Sequence, residues 1–337
     1  MALVAIVTPV YNGGKYLAAA MDSVQAQEYA DIVHIVLDNA STDDTQDIIA
    51  RYQHSRIKVI SYRNEEFLPL TGNWDKAFSL IPREATYAKL LCADDLMRKD
   101  CIRKFVGLAE SDPAIETVSC QDVHDDTVRR ANIPEGVSAI DGREATRAIL
   151  DRSINWLPFQ HLFVRLHSDD FDRPFFGTGE LGCDPHAVAR SALRGKFGYL
   201  HEPLVYTRWH SGSVSNTLTN DGRTPIYAVQ INNMLITYYK MLLVFGPKVW
   251  VDTDFRKAKR FAALTLVRTI LRWRLRGFRF AAEDLDRLAR STGLRIRSID
   301  YVLACATVPG YFFWKRGWHT EMGPAMHESA FVMASMV

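Results

Sequence analysis

The chain opens with the run LVAIVTPVYN at residues 3–12, and a second run, IVHIVLDNASTDDT, follows at residues 32–45. Each run starts with consecutive apolar and β-branched residues and then changes abruptly to polar and turn-forming residues. A short continuous apolar run is typical of a strand that is covered on both faces of a sheet. Residues 15–27, between the two runs, have apolar residues at helical spacing. The opening therefore predicts a strand, a helix and a second, parallel strand.

The same alternation extends along the first two thirds of the chain. Further strands are predicted at residues 57–61, 87–91, 117–121, 160–165 and 197–205, and further helices at residues 44–53, 73–81, 143–152 and 185–194. After about residue 221 the pattern is almost wholly helical. We therefore predict an α/β domain with a mostly parallel central sheet over residues 1–220, followed by a helical region over residues 221–337.

Charge and cysteine usage support this division and narrow the class of protein. Residues 221–337 contain 18 Lys and Arg against 9 Asp and Glu, although the whole chain has a net charge of only +2. The body is thus acidic and the helical region basic. The five cysteines form no CxxC pair, which argues against a disulfide framework or a zinc site and for a reducing compartment. The start lacks the basic residues of a signal peptide, and no apolar run has the length of a membrane span. We expect a cytoplasmic protein, with peripheral contact at the inner face of the membrane as a further expectation.

Acidic side chains follow two of the predicted strands. Asp94 and Asp95 come after the fourth strand, and Asp38 ends the second. Open α/β sheets bind ligands at the carboxyl ends of their strands. Adjacent carboxylates there suit a divalent cation that also holds a diphosphate, although Asp is equally favoured as a helix cap. Asp38 is placed to accept hydrogen bonds from a base or ribose, or else forms a turn with Asn39.

Two later residues are candidates for chemistry. Asp184 precedes Pro185 at a predicted helix start, where a carboxylate could accept a proton from an incoming hydroxyl or could simply cap the helix. His210 is a candidate ligand for a metal or a phosphate, with a structural role as the alternative. The acidic cluster at residues 122–126 is interpreted as a solvated turn.

Five segments together resemble the family-2 inverting glycosyltransferases of GT-A fold, in the family's order over about residues 4–216. They are TPVYN at 8–12, LDNASTDDT at 37–45, NWDKA at 73–77, LLCADDLM at 90–97 and GCDPHAVARSALRGKFGYLHEPLVYTRWHSGSVS at 182–215. The resemblance implies roles for residues at the matching positions: Pro9, Tyr11 and Asp38 for the nucleoside, Asn73 and Asp94 for the donor, Asp95 for the metal, His210 near the metal and diphosphate, and Asp184 as general base. Two positions depart from the family pattern, since Cys92 and Cys183 stand where many relatives carry acids.

The resemblance implies a metal-dependent enzyme. It would move a sugar from a UDP- or dTDP-sugar to a hydroxyl of a saccharide or lipid-linked acceptor, with inversion, in polysaccharide or glycolipid biosynthesis. The expected cofactor is Mn²⁺ or Mg²⁺. The cysteine substitutions leave open a non-catalytic nucleotide-sugar-binding or scaffold protein. A nucleotidyltransferase is a further alternative, but no Gly-rich phosphate loop follows the first strand. A dinucleotide oxidoreductase would need GxGxxG at that point, and this motif is missing too.

Residues 255–282 contain nine Lys and Arg and no acid. On a helix, one stripe would contain Leu264, Val267, Leu271, Leu275 and Phe278, with arginines beside it. This pattern predicts either a helix that lies on an anionic bilayer or a helix packed on the catalytic domain with a solvated basic edge. No recognised nucleic-acid-binding motif occurs, so we expect no nucleic-acid partner.

Overall fold

The structure is a computed structural model that describes residues 1–124, 127–151, 162–177, 183–208, 210, 226–296 and 300. Its strands are β1 (Val4–Val10), β2 (Ile32–Asp38), β3 (Lys58–Arg63), β4 (Tyr87–Leu90), β5 (Leu96–Met97), β6 (Ile115–His124), β7 (Thr127–Arg129), β8 (Ala139–Asp141), β9 (Phe163–Arg165) and β10 (Lys196–Thr207). Its helices are α1 (Leu17–Gln25), α2 (Thr45–Ala50), α3 (Leu70–Ser79), α4 (Cys101–Ser111), α5 (Gly142–Asp151), α6 (Cys183–Ala192), α7 (Ile226–Val249), α8 (Asp252–Leu275) and α9 (Arg279–Ser291). The predicted elements among the described residues are confirmed, with ends that differ by a few residues.

The strands form one sheet in the order β3-β2-β1-β4-β9-β6-β10-β5, with β7 paired to β6 and β8 to β10. The strands β3, β2, β1 and β4 are mutually parallel, and β10 is parallel to β6. The antiparallel pairs all involve short strands, such as β9 between β4 and β6. The predicted mostly parallel sheet is therefore confirmed, and the carboxyl ends of β1, β2 and β4 share one edge.

Both faces of the sheet are covered, which explains the continuous apolar runs. Every residue of β1 and β2 is buried. Successive side chains of a strand point to opposite faces. In β1, Ala5 and Val7 join a core cluster with α3, α5 and α6, whereas Val4 and Ile6 join a cluster with α1 and α4. The alternation of strands and helices in the sequence thus gives three layers with the sheet in the middle.

The acidic cluster at residues 122–126 is not a solvated turn at its first residue. Asp122 lies inside β6 and is fully buried. It forms an ion pair with Arg129 of the antiparallel strand β7 and accepts a hydrogen bond of 3.1 Å from the hydroxyl of Thr207. The prediction was wrong because β6 continues to His124 and brings its charged partner from a neighbouring strand. Residues 125–126 lie outside the described residues.

The three C-terminal helices pack on one another around a separate core. Trp273 of α8 is buried, and its indole N–H donates to Asn232 of α7 at 2.9 Å, while Asn232 donates to the Ala281 carbonyl of α9 at 2.8 Å. Helix α7 also reaches the core of the sheet domain through Met241 and Phe245. Among the described residues, no helix is both long and apolar enough to cross a membrane.

The predicted apolar stripe of α8 is wrong in its register. The buried positions are Leu266, Val267, Thr269, Ile270 and Trp273, whereas Leu275 is 87% exposed. Among the described residues, α8 is thus a packed helix, but it packs on α7 and α9, whereas the packed-helix interpretation predicts packing on the catalytic domain. Contact with a membrane stays a prediction, as does the domain boundary at residue 220, which lies outside the described residues.

Candidate functional site

The loops that follow β1 and β2 are bonded to each other. The backbone N–H of Asn12 donates to the Ser41 hydroxyl at 2.8 Å, and the Asn12 side chain accepts from the backbone N–H of Thr42 at 2.9 Å. Asn12 and Ala40 have left-handed backbone conformations, with φ of 49° and 59°. Such strain in residues other than glycine persists only where the surroundings hold it. The TPVYN and DNASTDDT segments thus form one rigid unit at the carboxyl edge.

Asp38 is the last residue of β2 and is fully buried. Its carboxylate accepts hydrogen bonds from the Arg63 guanidinium at 2.9 Å, the Gln46 amide at 2.5 Å and the backbone N–H of Ser41 at 2.9 Å. A carboxylate has about four acceptor positions, so these three bonds fix its orientation and leave little further capacity. Arg63, at the end of β3, is a partner that the sequence analysis did not single out.

Next to Asp38, an aromatic pair and an amide network border the same edge. Pro9 is buried within β1, but Tyr11 is half exposed, and its ring lies 4.8 Å from that of Phe67 in an edge-to-face arrangement. The buried Asn73 of α3 accepts a hydrogen bond of 3.0 Å from Asn64, which also donates to Asn39. The exposed ring offers a surface for a nucleobase, while Asn73 anchors α3 behind it.

Asp94 and Asp95 lie directly after β4 beside Cys92, and the potential ligand atoms of all three are within 4.8 Å of one another. Asp95 is buried and accepts a hydrogen bond of 3.1 Å from the backbone N–H of Arg208. Burial, and next the charge of Asp94, raise the pKa of Asp95 well above its ordinary value. A cation at this position would relieve both effects.

Lys89 lies beneath the acidic pair, fully buried in β4, and its ammonium donates to the Leu90 carbonyl. Within the part of the chain that the structure describes, it has no carboxylate within 4.0 Å. Burial lowers the pKa of Lys89, and this residue in turn lowers the pKa of Asp95. The acids therefore have some internal compensation, which the sequence signals only as a lone Lys in an apolar strand.

The segment after β10 brings basic groups to the acidic pair. His210 Nε2 lies 3.0 Å from Asp94 Oδ2, and the Arg208 guanidinium donates to the Asp94 carbonyl at 2.6 Å. Tyr16 stacks near both, with its ring centroid 4.6 Å from that of His210 and 5.0 Å from the Arg208 guanidinium. The Lys15 ammonium lies 4.9 Å from the same ring. Arg208 and His210 thus contact Asp94, and Lys15 lies over the ring of Tyr16 beside them, an arrangement that suits a cation and a diphosphate.

The donor atoms at the acidic pair fit a hard divalent cation. Burial, and then the charges of Asp95 and Asp94, raise the pKa of Cys92 well above its ordinary value, so its thiol stays neutral. Mg²⁺ and Mn²⁺ prefer carboxylate oxygens to sulfur. Asp94 and Asp95 are therefore the residues that could hold the ion, with the imidazole of His210 next to them.

Asp184 lies in the first turn of α6 and is partly buried. This burial raises the pKa of Asp184 to about 6. The charge of Asp184 also contributes to the raised pKa of Cys92. The start of α6 therefore lies near the acidic pair. Asp75, which we had not singled out, holds the segment before α6 by accepting backbone hydrogen bonds from Phe176 at 2.6 Å and Gly177 at 3.2 Å. Glu180, four residues before Asp184, competes for the role of base because Cys183 stands where relatives carry an acid, but Glu180 lies outside the described residues.

The predicted residues therefore lie along one edge of the sheet. Asp94 contacts His210 and lies close to Asp95, Asp184 is close to Cys92, and Asp38 connects to the β1 loop through Ser41. Four residues at this edge were not predicted from the sequence: Arg63, Lys89, Asp75 and Tyr16. Arg63 was within reach of the same reasoning, because it too ends a strand at this edge.

Comparison with known proteins adds three findings. The family described as "Glycosyl transferase family 2" matches residues 5–166. The chain is similar to the uncharacterized glycosyltransferase alr2836 of Nostoc sp., with 21% identity over 270 residues, covering 77% of this chain and 82% of that protein. Two solved structures share the fold. S. aureus TarS 1-349 in complex with UDP-GlcNAc has a TM-score of 0.54 and 13% identity, and the match covers 88% of this chain and 93% of TarS 1-349. The mannosyltransferase PcManGT from Pyrobaculum calidifontis, in complex with GDP-Man and Mn²⁺, has a TM-score of 0.52 and 15% identity, with 99% and 85% covered.

Proposed function

We propose that the chain is a family-2 glycosyltransferase that transfers a sugar from a UDP- or dTDP-sugar to an acceptor hydroxyl with inversion, and the family match over residues 5–166 supports this. The observation that carries this proposal is the placement of a buried acidic pair, a basic segment and a partly buried carboxylate at one sheet edge. The complex of TarS with UDP-GlcNAc supports a uridine nucleotide. Asp38, Tyr11 and Asn73 border the place for the nucleoside.

Asp94 and Asp95 would hold a divalent cation, and the Mn²⁺ in the PcManGT complex supports this assignment. When bound, such an ion neutralises the negative charge that develops on the departing diphosphate. Arg208 and Lys15 add positive charge around Tyr16, and the ring of His210 lies against the same tyrosine. These groups would orient the diphosphate so that its bond to the sugar faces Asp184.

Asp184 would act as the general base. At neutral pH a carboxyl group with a pKa of about 6 is mostly ionised and is a stronger base than an exposed Asp. The acceptor oxygen forms a bond to the anomeric carbon while its proton passes to the Asp184 carboxylate. The bond from that carbon to the diphosphate oxygen breaks in the same step, and the nucleoside diphosphate leaves with the electron pair. Attack from the face opposite the leaving group inverts the anomeric configuration.

A panel of nucleotide sugars would test the proposal. The protein is mixed with each UDP- or dTDP-sugar and Mn²⁺, and thermal stabilisation identifies the donor. NMR of the product then gives the anomeric configuration. Release of UDP or dTDP with or without an acceptor supports an enzyme, whereas stabilisation without any release supports the binding-protein alternative. A product that keeps the donor configuration would overturn the inverting mechanism.

The proposed acceptor is a saccharide or lipid-linked hydroxyl, with peripheral membrane contact through residues 255–282. Exposed side chains around the turn between α8 and α9 support this. Leu275 is 87% exposed and Phe280 is 55% exposed, and the exposed residues Arg274 and Arg276 flank Leu275. Such a surface suits an anionic bilayer. We expect co-sedimentation with phosphatidylserine vesicles at low salt, weakened in the double variant Arg274→Gln/Arg276→Gln. Equal recovery of both proteins in the supernatant would leave α8 as a packing helix only.

A further inference from the structure

A cavity of about 540 Å³ lies among α5, α6 and α7, away from the acidic pair. Its charged lining consists of Arg143, Arg173, Arg190, Arg194 and Lys248. We call these five residues the basic cavity. Its volume is in the range of sites for small molecules, about 300–1,000 Å³. No residue proposed above for the donor, the metal or the proton transfer belongs to it.

Among the five residues of the basic cavity, Arg190 is the one with buried donors that lack a partner in the described part of the chain. Its Nε and Nη2 atoms are buried, and neither has a hydrogen-bond partner among the described residues. Nη2 forms an ion pair with Asp170, whose Oδ1 lies 3.6 Å away. This distance is too long for a hydrogen bond. The guanidinium lies 4.6 Å from the ring centroid of Phe175, which supports one of its faces. Buried donors of this kind are costly unless a ligand or water accepts their hydrogens.

The acids nearby are already engaged by other groups. The carboxylate of Asp170 accepts from the Arg194 guanidinium at 2.5 and 2.9 Å and from the backbone N–H of His167 at 3.1 Å. Asp169 is bonded to Arg194 at 2.9 Å and to Arg173 at 2.6 Å. Two carboxylates therefore serve a group of five cations.

The remaining cations lack acidic partners. Over the described parts of the chain, neither Arg143 nor Lys248 has a carboxylate within 4.0 Å. Burial lowers the pKa of Arg190. The charge of Asp170 acts in the opposite direction, and the charges of Arg173 and Arg194 lower the pKa further. Within the described residues, the cavity thus has more positive than negative charge.

We propose that the basic cavity binds the phosphate group of a small ligand. Guanidinium groups present paired N–H donors that match phosphate oxygens, and such charge-assisted bonds are among the strongest in proteins. Arg190 lines the cavity from α6 and brings a guanidinium to it, and Arg143 and Lys248 add donors from α5 and α7.

This binding site is separate from the proposed donor site and goes beyond the proposed function. Arg190 follows Asp184 by six residues on α6, which is about 9 Å along the helix axis. Arg143 starts α5 at the opposite end of α6, where the Gly142 N–H donates to the Gly195 carbonyl at 2.9 Å. The phosphate could belong to a soluble ester or to a phospholipid headgroup.

Thermal stabilisation by inorganic phosphate, in chelator and at an ionic strength matched with chloride, tests the site. The comparison uses the wild-type protein, the double variant Arg143→Gln/Lys248→Gln, and a control of equal charge change, Arg51→Gln/Lys58→Gln. All four positions are exposed, so the substitutions leave the core intact. Arg190→Gln is a further variant. We expect the dissociation constant for phosphate to rise roughly tenfold or more in the cavity variants and to stay unchanged in the control.

A second arm distinguishes the two sources of phosphate. Vesicles of phosphatidylcholine with phosphatidic acid are co-sedimented with the same proteins. Stabilisation by free phosphate that the cavity variants lose supports a soluble ester. Vesicle binding that only the cavity variants lose, without an effect of free phosphate, supports a phospholipid headgroup. If neither probe acts on the wild-type protein, or if the cavity variants and the control respond alike, the basic cavity is not a phosphate site.

Discussion

Helix α6 separates two charged clusters of opposite sign. Near its start, Asp184 lies beside the buried pair Asp94 and Asp95, and burial raises the pKa of Asp95 and Asp184. Toward its end, burial lowers the pKa of Arg190. Among the described residues, each cluster therefore holds an excess of charge of one sign, and each would be completed by an ion of the other sign. The difference is that the acidic cluster has the internal cation Lys89 beneath it, while the acids of the basic cavity are already bonded.

The largest expected effect is on turnover at the acidic end. Asp184→Asn keeps the shape of the side chain but cannot accept a proton, so transfer should fall about 10²–10⁴-fold while donor affinity stays nearly constant. Steady-state transfer rates and a donor titration measure the two quantities. Glu180→Gln is the companion variant, since Glu180 is the competing base. Near-normal transfer by the Asp184 variant would remove this residue from the mechanism, and a collapse confined to the Glu180 variant would assign the role there.

At the basic end the largest effect is on stability. Asp170 is 1% exposed and bonded to Arg194, so Asp170→Asn leaves several cations without compensation. Breaking a buried pair in this way costs about 3–5 kcal/mol. The pKa of Asp170 is lowered, because Arg194 and the His167 N–H outweigh the opposing effect of burial. The stabilisation is therefore present at neutral pH and is lost as the pH falls.

Asp169→Asn is the matched control for that substitution, since Asp169 bonds the same Arg194 but is 58% exposed. An exposed pair contributes about 0–1 kcal/mol. Urea denaturation of both variants measures the difference. Added phosphate should restore part of the loss in Asp170→Asn if the basic cavity binds it. Equal destabilisation of the two variants would mean that the charge of Asp170 is not what balances the cavity.

Asp95→Asn should separate metal binding from stability at the acidic end. Loss of a ligand should weaken Mn²⁺-dependent UDP binding by roughly 10–100-fold or more. In chelator the same variant should be more stable than the wild type, because it removes a buried charge that Asp94 opposes. Calorimetry with UDP and thermal denaturation measure the two effects. The control is Asp47→Asn, at an exposed position of α2. Unchanged UDP affinity with and without chelator contradicts the metal assignment.

The acids at the carboxyl edge of the sheet were predictable from the sequence, and the basic cavity was not. Asp38, Asp94 and Asp95 each stand at or shortly after the end of a mostly apolar strand, so local pattern and the general rule for strand ends were sufficient for them. The cavity combines residues from α5, α6, α7 and the segment around Arg173, and no local spacing brings these together. The register of α8 failed for a similar reason. Its sequence allows more than one apolar stripe, and packing against α7 and α9 selects the one that contains Trp273.

The smallest expected effect is the dependence of turnover on pH. At saturating donor and metal, kcat should rise with pH through about 6, because Asp184 must be ionised to accept a proton. About one tenth of the carboxyl is ionised at pH 5 and about nine tenths at pH 7. The residual activity of Asp184→Asn should lack this rise. Saturating metal matters, since the raised pKa of Asp95 also makes metal binding weaker in acid. The sign for stability is opposite. Because folding raises the pKa of Asp184 from 3.8, protonation stabilises the fold at low pH, and this contribution is lost as the pH rises through about 6. Partial burial of the Asp184 carboxylate therefore has two effects above pH 6: the ionised group can accept a proton, and its charge lowers the stability of the fold. A kcat that stays flat between pH 5 and 7 in the wild type, with transfer chemistry rate-limiting, would contradict both the raised pKa and the role of Asp184.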